Sequence, residues 1–403
     1  MQLRRVHTVN SALAAFPLAF LTAKSLAFFL FLLGTFSCEA LHSQQITDST
    51  SSTLSGIPNP FRQNSQAIEK TAKSEAVDVI QLSSLPTHAE PPVVTAISVS
   101  PNGLFIAAAG DDHAIRIVEL ATGKTTATLI GHLDWVQCLE FSPNGQQLAS
   151  CGNDGALCVW SLSPKPELTS KKLADHALMT LAFFHNDSIY TAGFSNKIYR
   201  SDESAPELVV VHECDCRDIR SIVVSPDHTR IAFGGRDGIL RVRDVNAEQT
   251  SHMGEIIKQL HFDRIRMLQF SEDGNQITSV GEDRRIVHYD LVNQTTLGQT
   301  EVGGGKLFGL CQLEPHLFAI ASSDNTIRIF SDSDQQVHSK LVGHDGSVSI
   351  LKRTPKYLIS GSFDTTIRIW DIDKAIDSID AQGRYLHPVA AQFEDSGVAK
   401  EVK

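Results

Sequence analysis

The chain has no surplus of basic residues, few cysteines for its length, no stretch of helical periodicity and none of the common catalytic signatures. Each absence excludes something. With 35 Lys and Arg against 46 Asp and Glu the formal charge is −11, a poor match for nucleic acid or an anionic lipid surface. Removing Met1–Cys38 takes away Arg4, Arg5 and Lys24 and no acid, which leaves 32 bases and a charge of −14. Protein, carbohydrate or cationic partners suit such a surface better. Seven cysteines in 403 residues do not form the dense framework of a small disulfide scaffold, although a disulfide is compatible with an exported chain. Cys138, Cys151 and Cys158 read as small core residues within strands, and Cys214-x-Cys216 beside His212 lacks a second ligand pair at zinc spacing. Without 3.6-residue apolar periods a helical solenoid is excluded. There is no Gly-x-Ser-x-Gly, His-Glu-x-x-His or Cys-x-x-Cys-His. Gly303-Gly304-Gly305-Lys306 lacks the upstream Gly and the following Ser or Thr of a phosphate loop, and reads as a flexible connection. His288 and Asp111-Asp112-His113 read as polar strand ends in solvent rather than metal ligands. Neither an enzyme nor a cofactor nor a metal site is expected.

What the chain does contain is a period. Asp112, Asp154, Ser195, Asp237, Asp283, Asp324 and Asp364 follow one another at gaps of 42, 41, 42, 46, 41 and 40 residues. A period near 40 marks stacked supersecondary units. Each position follows a short apolar run and precedes an alternating one, as in LASCGNDGALCVW (148–160) and LISGSFDTTIRIW (358–370). That pattern is strand, tight turn, strand. Turns recur as Ser100-Pro101-Asn102, Ser142-Pro143-Asn144, Ser225-Pro226-Asp227 and Ser271-Glu272-Asp273. Seven units of four short strands follow, the third degenerate at Ser195-Asn196.

Gly131-His132 with Trp160, and Gly343-His344 with Trp370-Asp371, resemble the Gly-His and Trp-Asp signatures of the WD40 repeat family over about residues 76–373. The resemblance implies an all-β, seven-bladed β-propeller, each blade a four-stranded sheet around a central channel. It implies that AVDVIQL (76–82) completes the last blade. It also implies two structural tetrads, His132, Ser150, Asp154, Trp160 and His344, Ser360, Asp364, Trp370, which fasten blades and do not catalyse. Val118, Arg243, Tyr289 and Phe330 take the Trp place in other units. Partner contacts are implied on the narrower top face, where the loops leading into the inner strands present Trp135, Ala177, Asp218, Arg264 and Ser347. The expected function is a monomeric, non-catalytic protein–protein interaction scaffold. The alternative is an exported enzyme or small-ligand binder using the central channel, which ionisable residues converging on the channel mouth would favour.

The two ends differ from the repeats. Residues 1–38 combine Arg4 and Arg5 with apolar residues from Ala12 and the run LAFFLFLLG (26–34), the anatomy of a secretory signal or membrane anchor. Three outcomes stay open: cleavage after Ser37 or Ala40, lipidation of Cys38, or an uncleaved Ala12–Phe36 anchor. Ser37-Cys38 resembles the end of a lipobox, with Thr35 and Phe36 where that pattern prefers Leu and a small residue. All three put the body outside the cytoplasm, in the periplasm or cell envelope. Residues 39–75, rich in Ser, Thr and Gln, read as a flexible linker, and residues 374–403 as a polar tail. Asn186-Asp-Ser188 and Asn293-Gln-Thr295 are the glycan acceptor triplets of a eukaryotic luminal alternative.

Overall fold

The computed structural model describes residues 72–74, 76–86, 90–185, 188–202, 205–216, 218–245 and 255–376. The signal or anchor, Cys38, the linker up to residue 71 and the tail beyond Ile376 lie outside the described residues.

Seven antiparallel sheets each take their strands in chain order, from 94–130, 136–173, 178–213, 219–259, 265–301, 307–341 and 348–371. These are blades 1 to 7. The first strand of each is innermost: Val94–Val99, Val136–Phe141, Leu178–His185, Ile219–Val224, Ile265–Phe270, Leu307–Glu314 and Val348–Arg353. Each inner strand packs on the next, and the seventh packs on the first. The apolar core is accordingly divided into seven clusters, one between each pair of neighbouring blades. Burying one Leu or Ile contributes about 1.5–3 kcal/mol, so each blade is stabilised by its neighbours more than by itself.

Closure uses the far end of the chain. Blade 7 has three strands of its own, and Asp78–Gln81 supplies the fourth, antiparallel to Thr366–Asp371. Ile80 and Leu82 pack with Ile367 and Ile369 of blade 7 against Val94, Ile97, Ile106 and Val118 of blade 1. Across the same seam Ser349 Oγ donates to the Val94 carbonyl at 2.6 Å.

Several positions differ from expectation. Ala72–Ser74, expected within the flexible linker, runs parallel to the outermost strand of blade 6, Gln336–Leu341. A free strand edge offers N–H and C=O groups that extended chain can satisfy whatever its side chains. The first residues of the expected tail belong to a helix, Ile372–Ile376, which buries Ile372 and Ala375, and the Ala375 carbonyl accepts from Ser339 Oγ at 3.0 Å. Asp112 and His288 are not strand ends in solvent: both are 5 % exposed. The Arg116 guanidinium holds Asp112 at 2.5 Å, and His288 Nδ1 lies 3.0 Å from Thr278 Oγ1. Cys214 and Cys216 are joined as a disulfide. Among the described residues no group of three or more His, Cys, Asp or Glu could hold a metal, and no helix is long and apolar enough to cross a membrane.

Candidate functional site at the channel mouth

All seven inner strands break register with their neighbour directly after their first residue. The bulged residues are Thr95, Gln137, Met179, Arg220, Arg266, Phe308 and Ser349, each half-buried beside a buried first residue. A bulge re-aims a side chain out of the sheet's alternation, and here Thr95 and Ser349 donate through it to the Val136 and Val94 carbonyls on the inner strand of the next blade. The residue before the inner strand of blades 2 to 7 forms a second ring. Its carbonyl accepts from the residue just past the second strand: Trp135 from Asn153, Ala177 from Phe194, Asp218 from Arg236, Arg264 from Glu282, Lys306 from Ser323 and Ser347 from Phe363, at 2.9–3.0 Å. In blades 2, 3 and 4 the residue opposite is a glycine with no room for a side chain, a Cβ on Gly235 lying 1.6 Å from the Asp218 carbonyl oxygen, whereas Ser322 and Ser362 take this place in blades 6 and 7.

At blades 4 to 6 the two rings meet in a charged cluster. Arg264 Nη1 donates to Glu282 Oε1 at 2.8 Å, and its Nη2 lies 3.3 Å from Asp218 Oδ2. Lys306 Nζ donates to Glu282 Oε2 at 2.6 Å, and Arg266 Nη1 reaches Glu282 Oε1 at 3.3 Å. Arg220 meets the Asp218 carboxylate at two points, its Nε 2.6 Å from Oδ1 and its Nη2 donating to Oδ2 at 3.4 Å. Arg220 lies over the Phe194 ring at 4.5 Å and Arg266 over the Phe308 ring at 4.7 Å, which fixes both guanidinium planes. Burial alone would raise the Glu282 carboxyl; the contacts with Lys306, Arg266 and Arg264 outweigh it and hold it at about 2. Burial and the neighbouring Arg220 charge push Arg266 down to about 10.

The cluster unites Asp218 and Arg264 of the residues named from sequence. Asp218 is 3 % exposed and holds Arg220 and Arg264. Trp135, half-buried in blade 2, and Ser347 in blade 7, whose Oγ donates to the Ser323 carbonyl at 3.2 Å, stand elsewhere on the ring. Arg220, Arg266, Glu282 and Lys306 were not anticipated. Their signal is positional: the second residue of an inner strand, the residue before a turn Asp, the residue before an inner strand. Leu133 and Phe262, each 78 % exposed, also lie on this face, one residue past a histidine whose Asp partner accepts their N–H at 3.0 and 3.1 Å.

Those histidines belong to buried triads that fasten blades. His132 Nδ1 lies 3.0 Å from Asp154 Oδ1 and Nε2 2.8 Å from Ser150 Oγ, which accepts from Trp160 Nε1 at 2.9 Å. His344, Asp364, Ser360 and Trp370 repeat this at 2.8, 2.7 and 2.9 Å. A third set, His261 with Asp283 and Ser279 at 2.8 Å each, was missed because Leu260 and Tyr289 replace Gly and Trp. The His-to-Asp and His-to-Ser separations of 22 and 18 residues, the same as for His132, would have found it. Ser150, Ser279 and Ser360 are fully buried, out of reach of a substrate. In blades 1, 4 and 6 the turn Asp is held instead by an Arg four residues on, Arg116, Arg241 or Arg328.

These bonds set an acid limit. Against the upward push of burial, His132, His261 and His344 hold Asp154, Asp283 and Asp364 below the usual carboxylate range, and Arg328 holds Asp324 at about 2. Groups depressed in the folded state stabilise it above their unfolded pKa, near 4, and that contribution is lost as pH falls toward about 2. The thermal midpoint followed by circular dichroism is expected to fall steadily below about pH 4 as these carboxylates protonate. Equal midpoints at pH about 5 and at pH about 3 would contradict this.

A family model described as WD domain, G-beta repeat matches residues 80–119, 123–161, 207–244 and 335–371. The chain is 24 % identical over 275 residues to an uncharacterised WD repeat-containing protein of Schizosaccharomyces pombe, covering 67 % of this chain and 63 % of that one. It is 25 % identical over 252 residues to apoptotic protease-activating factor 1 of Danio rerio, covering 62 % and 19 %. It is 31 % identical over 144 residues to nuclear distribution protein nudF of Aspergillus niger, covering 33 % and 32 %. The chain thus spans less than two thirds of the length of each of these relatives.

Proposed function

The chain carries WD40 repeats closed into a seven-bladed β-propeller, and from that premise we propose that it is a non-catalytic protein–protein interaction platform whose partner docks over the channel mouth. WD40 propellers in general bind protein partners and act as scaffolds, which supports the class of function. The observation that carries the site is the rim itself. Exposed Leu133 and Phe262 stand on the same face as a cluster of partly accessible arginines, and large apolar and Arg side chains are common interface anchors. In this reading the platform is a monomer, exported and tethered by residues 1–38; the support is the basic start, the apolar run and the polar stretch after it.

Crosslinking in intact cells tests the platform. The wild-type tagged chain is expected to capture a discrete protein that a Leu133→Ser, Phe262→Ser variant loses, while both variants melt alike. Capture that is indifferent to the rim variant counts against this face. A protein shielded from protease added to intact cells, with its outer membrane permeabilised, counts against export.

The second reading, a small-ligand binder, is favoured by the ionisable side chains that converge on the mouth. Deeper in the channel, burial pushes the Glu140 carboxyl up to about 8 against the pull of Lys352.

A further inference from the structure

We propose that Cys138 and Cys151 are a reactive thiol pair, which a small disulfide oxidant of the glutathione type converts into a cross-link between the first two strands of blade 2. The inference goes beyond the platform reading and does not need export, which would only supply an oxidising compartment.

Register brings the two together. Cys138 on Val136–Phe141 and Cys151 on Gln147–Gly152 are direct partners across an antiparallel ladder. Directly opposed residues have Cα atoms about 4.5 or about 5.5 Å apart, and a disulfide spans about 4.4–6.8 Å, so the backbone already has the reach. Opposed residues also share one side of a sheet. Both cysteines accordingly pack in the apolar cluster between blades 2 and 3, with Leu178, Leu181 and Phe183 of the next inner strand. The other free cysteines do not compete. Cys158 is opposite Ser150 and packs on the other side of the sheet, against blade 1, and Cys311 belongs to blade 6.

Surroundings divide the roles. Cys151 is fully buried, whereas Cys138 is partly accessible. The hydrogen bond from the Cys151 thiol lowers the Cys138 thiol against the push of burial, and the Lys352 charge lowers it further. Burial raises the Cys151 thiol, and its bond to Cys138 raises it again. Cys138 is therefore the thiol that ionises and meets the oxidant, since the thiolate is the nucleophile. It attacks one sulfur of oxidised glutathione, which joins the two and expels the first glutathione thiolate. Once Cys138 is bonded, its negative charge no longer opposes ionisation of Cys151. The Cys151 sulfur then attacks Cys138, forming the protein disulfide and expelling the second glutathione thiolate. The two cysteines give up two electrons and two protons, and both pass to the oxidant, which leaves as two thiols.

The test is to expose the native full chain to oxidised glutathione, block the remaining thiols by alkylation in denaturant, and map the digest by mass spectrometry. No Lys or Arg lies between Lys124 and Lys165, so trypsin leaves Cys138, Cys151 and Cys158 on one peptide. A protease specific for Glu and Asp separates them at Glu140 and Asp154. A linked pair of peptides carrying Cys138 and Cys151 is expected, lost on treatment with dithiothreitol, with Cys158 and Cys311 alkylated. In Cys151→Ser, glutathione should remain on Cys138 at a level at least about tenfold above wild type, because no second thiol displaces it. In Cys138→Ser, Cys151 should stay a free thiol. Cys151→Ala, which puts no hydroxyl in the apolar cluster, replaces the Ser variant if that one melts below wild type. Wild-type chain that yields both thiols free, keeps glutathione on Cys138, or links either cysteine to Cys158 or Cys311 would overturn the proposal. So would oxidation of Cys151 in Cys138→Ser at the rate seen in wild type.

Discussion

Trp370→Ala is expected to destabilise the propeller by about 3–5 kcal/mol, the cost typical of deleting a buried aromatic side chain. Trp370 is 1 % exposed and belongs to the cluster between blades 6 and 7. Its ring underlies the corner at Gly343, where a Cβ would stand 3.7 Å from Trp370 Cη2, and its Nε1 donates to Ser360 Oγ. Removing it opens a cavity and deprives the Ser360–His344–Asp364 chain of its packing wall. Trp370→Phe keeps most of the volume and loses the N–H donor, so it is expected to cost less, about 1–2 kcal/mol. Urea unfolding of the two variants beside wild type measures both. An Ala variant with the wild-type midpoint would show that this corner does not fasten the blade.

Glu282→Ala is expected to be nearly as damaging, about 2–4 kcal/mol, scaled down from a fully buried pair because its partners are partly hydrated. The carboxylate is 8 % exposed and contacts Arg264, Arg266 and Lys306. Without it four cations, Arg220, Arg264, Arg266 and Lys306, share the rim with Asp218 as the one carboxylate among the described residues still ion-paired to the group. A double mutant separates repulsion from lost bonding. In the Glu282→Ala background, Arg266→Ala is expected to restore part of the lost stability, whereas strictly additive effects would mean that the cluster does not act as one unit.

How much of this was legible beforehand depended on whether the signal was periodic. The turn Asp residues recur because each lies between the second and third strands of a blade, so spacing alone revealed seven blades and their order. The His132 and His344 sets could be named because Gly and Trp flanked them. The His261 set uses the same bonds with Leu260 and Tyr289, and residue-type matching passed over it. The mouth cluster was half visible. Asp218 and Arg264 were found by their place before an inner strand, but Arg220 and Arg266 join the cluster from a bulge that follows the first strand residue. Simple alternation carries no mark of that bulge. The strand at Ala72–Ser74 was invisible for a different reason: its partner is backbone at a sheet edge, and backbone pairing does not require apolar side chains.

The seam in blade 7 has a kinetic consequence. Gln81 Nε2 donates to Thr365 Oγ1 at 3.2 Å across 284 residues of chain, and the ladder beside it pairs Asp78–Gln81 with a strand ending at Asp371. Bringing together points so distant carries a loop-closure entropy of about 5 kcal/mol, which falls to little once the intervening blades have formed and set the ends side by side. Assembly should therefore run around the ring and finish at the seam. On the ribosome the strand at Asp78–Gln81 emerges early and must wait, unpaired, until residue 371 has been made. In that interval blade 1 lacks the neighbour that covers Val94, Ile97 and Ile106. Nascent chains halted before residue 371 should be open arcs, sensitive to protease and to binders of exposed apolar strands, and release of the last strand should close them in one late step.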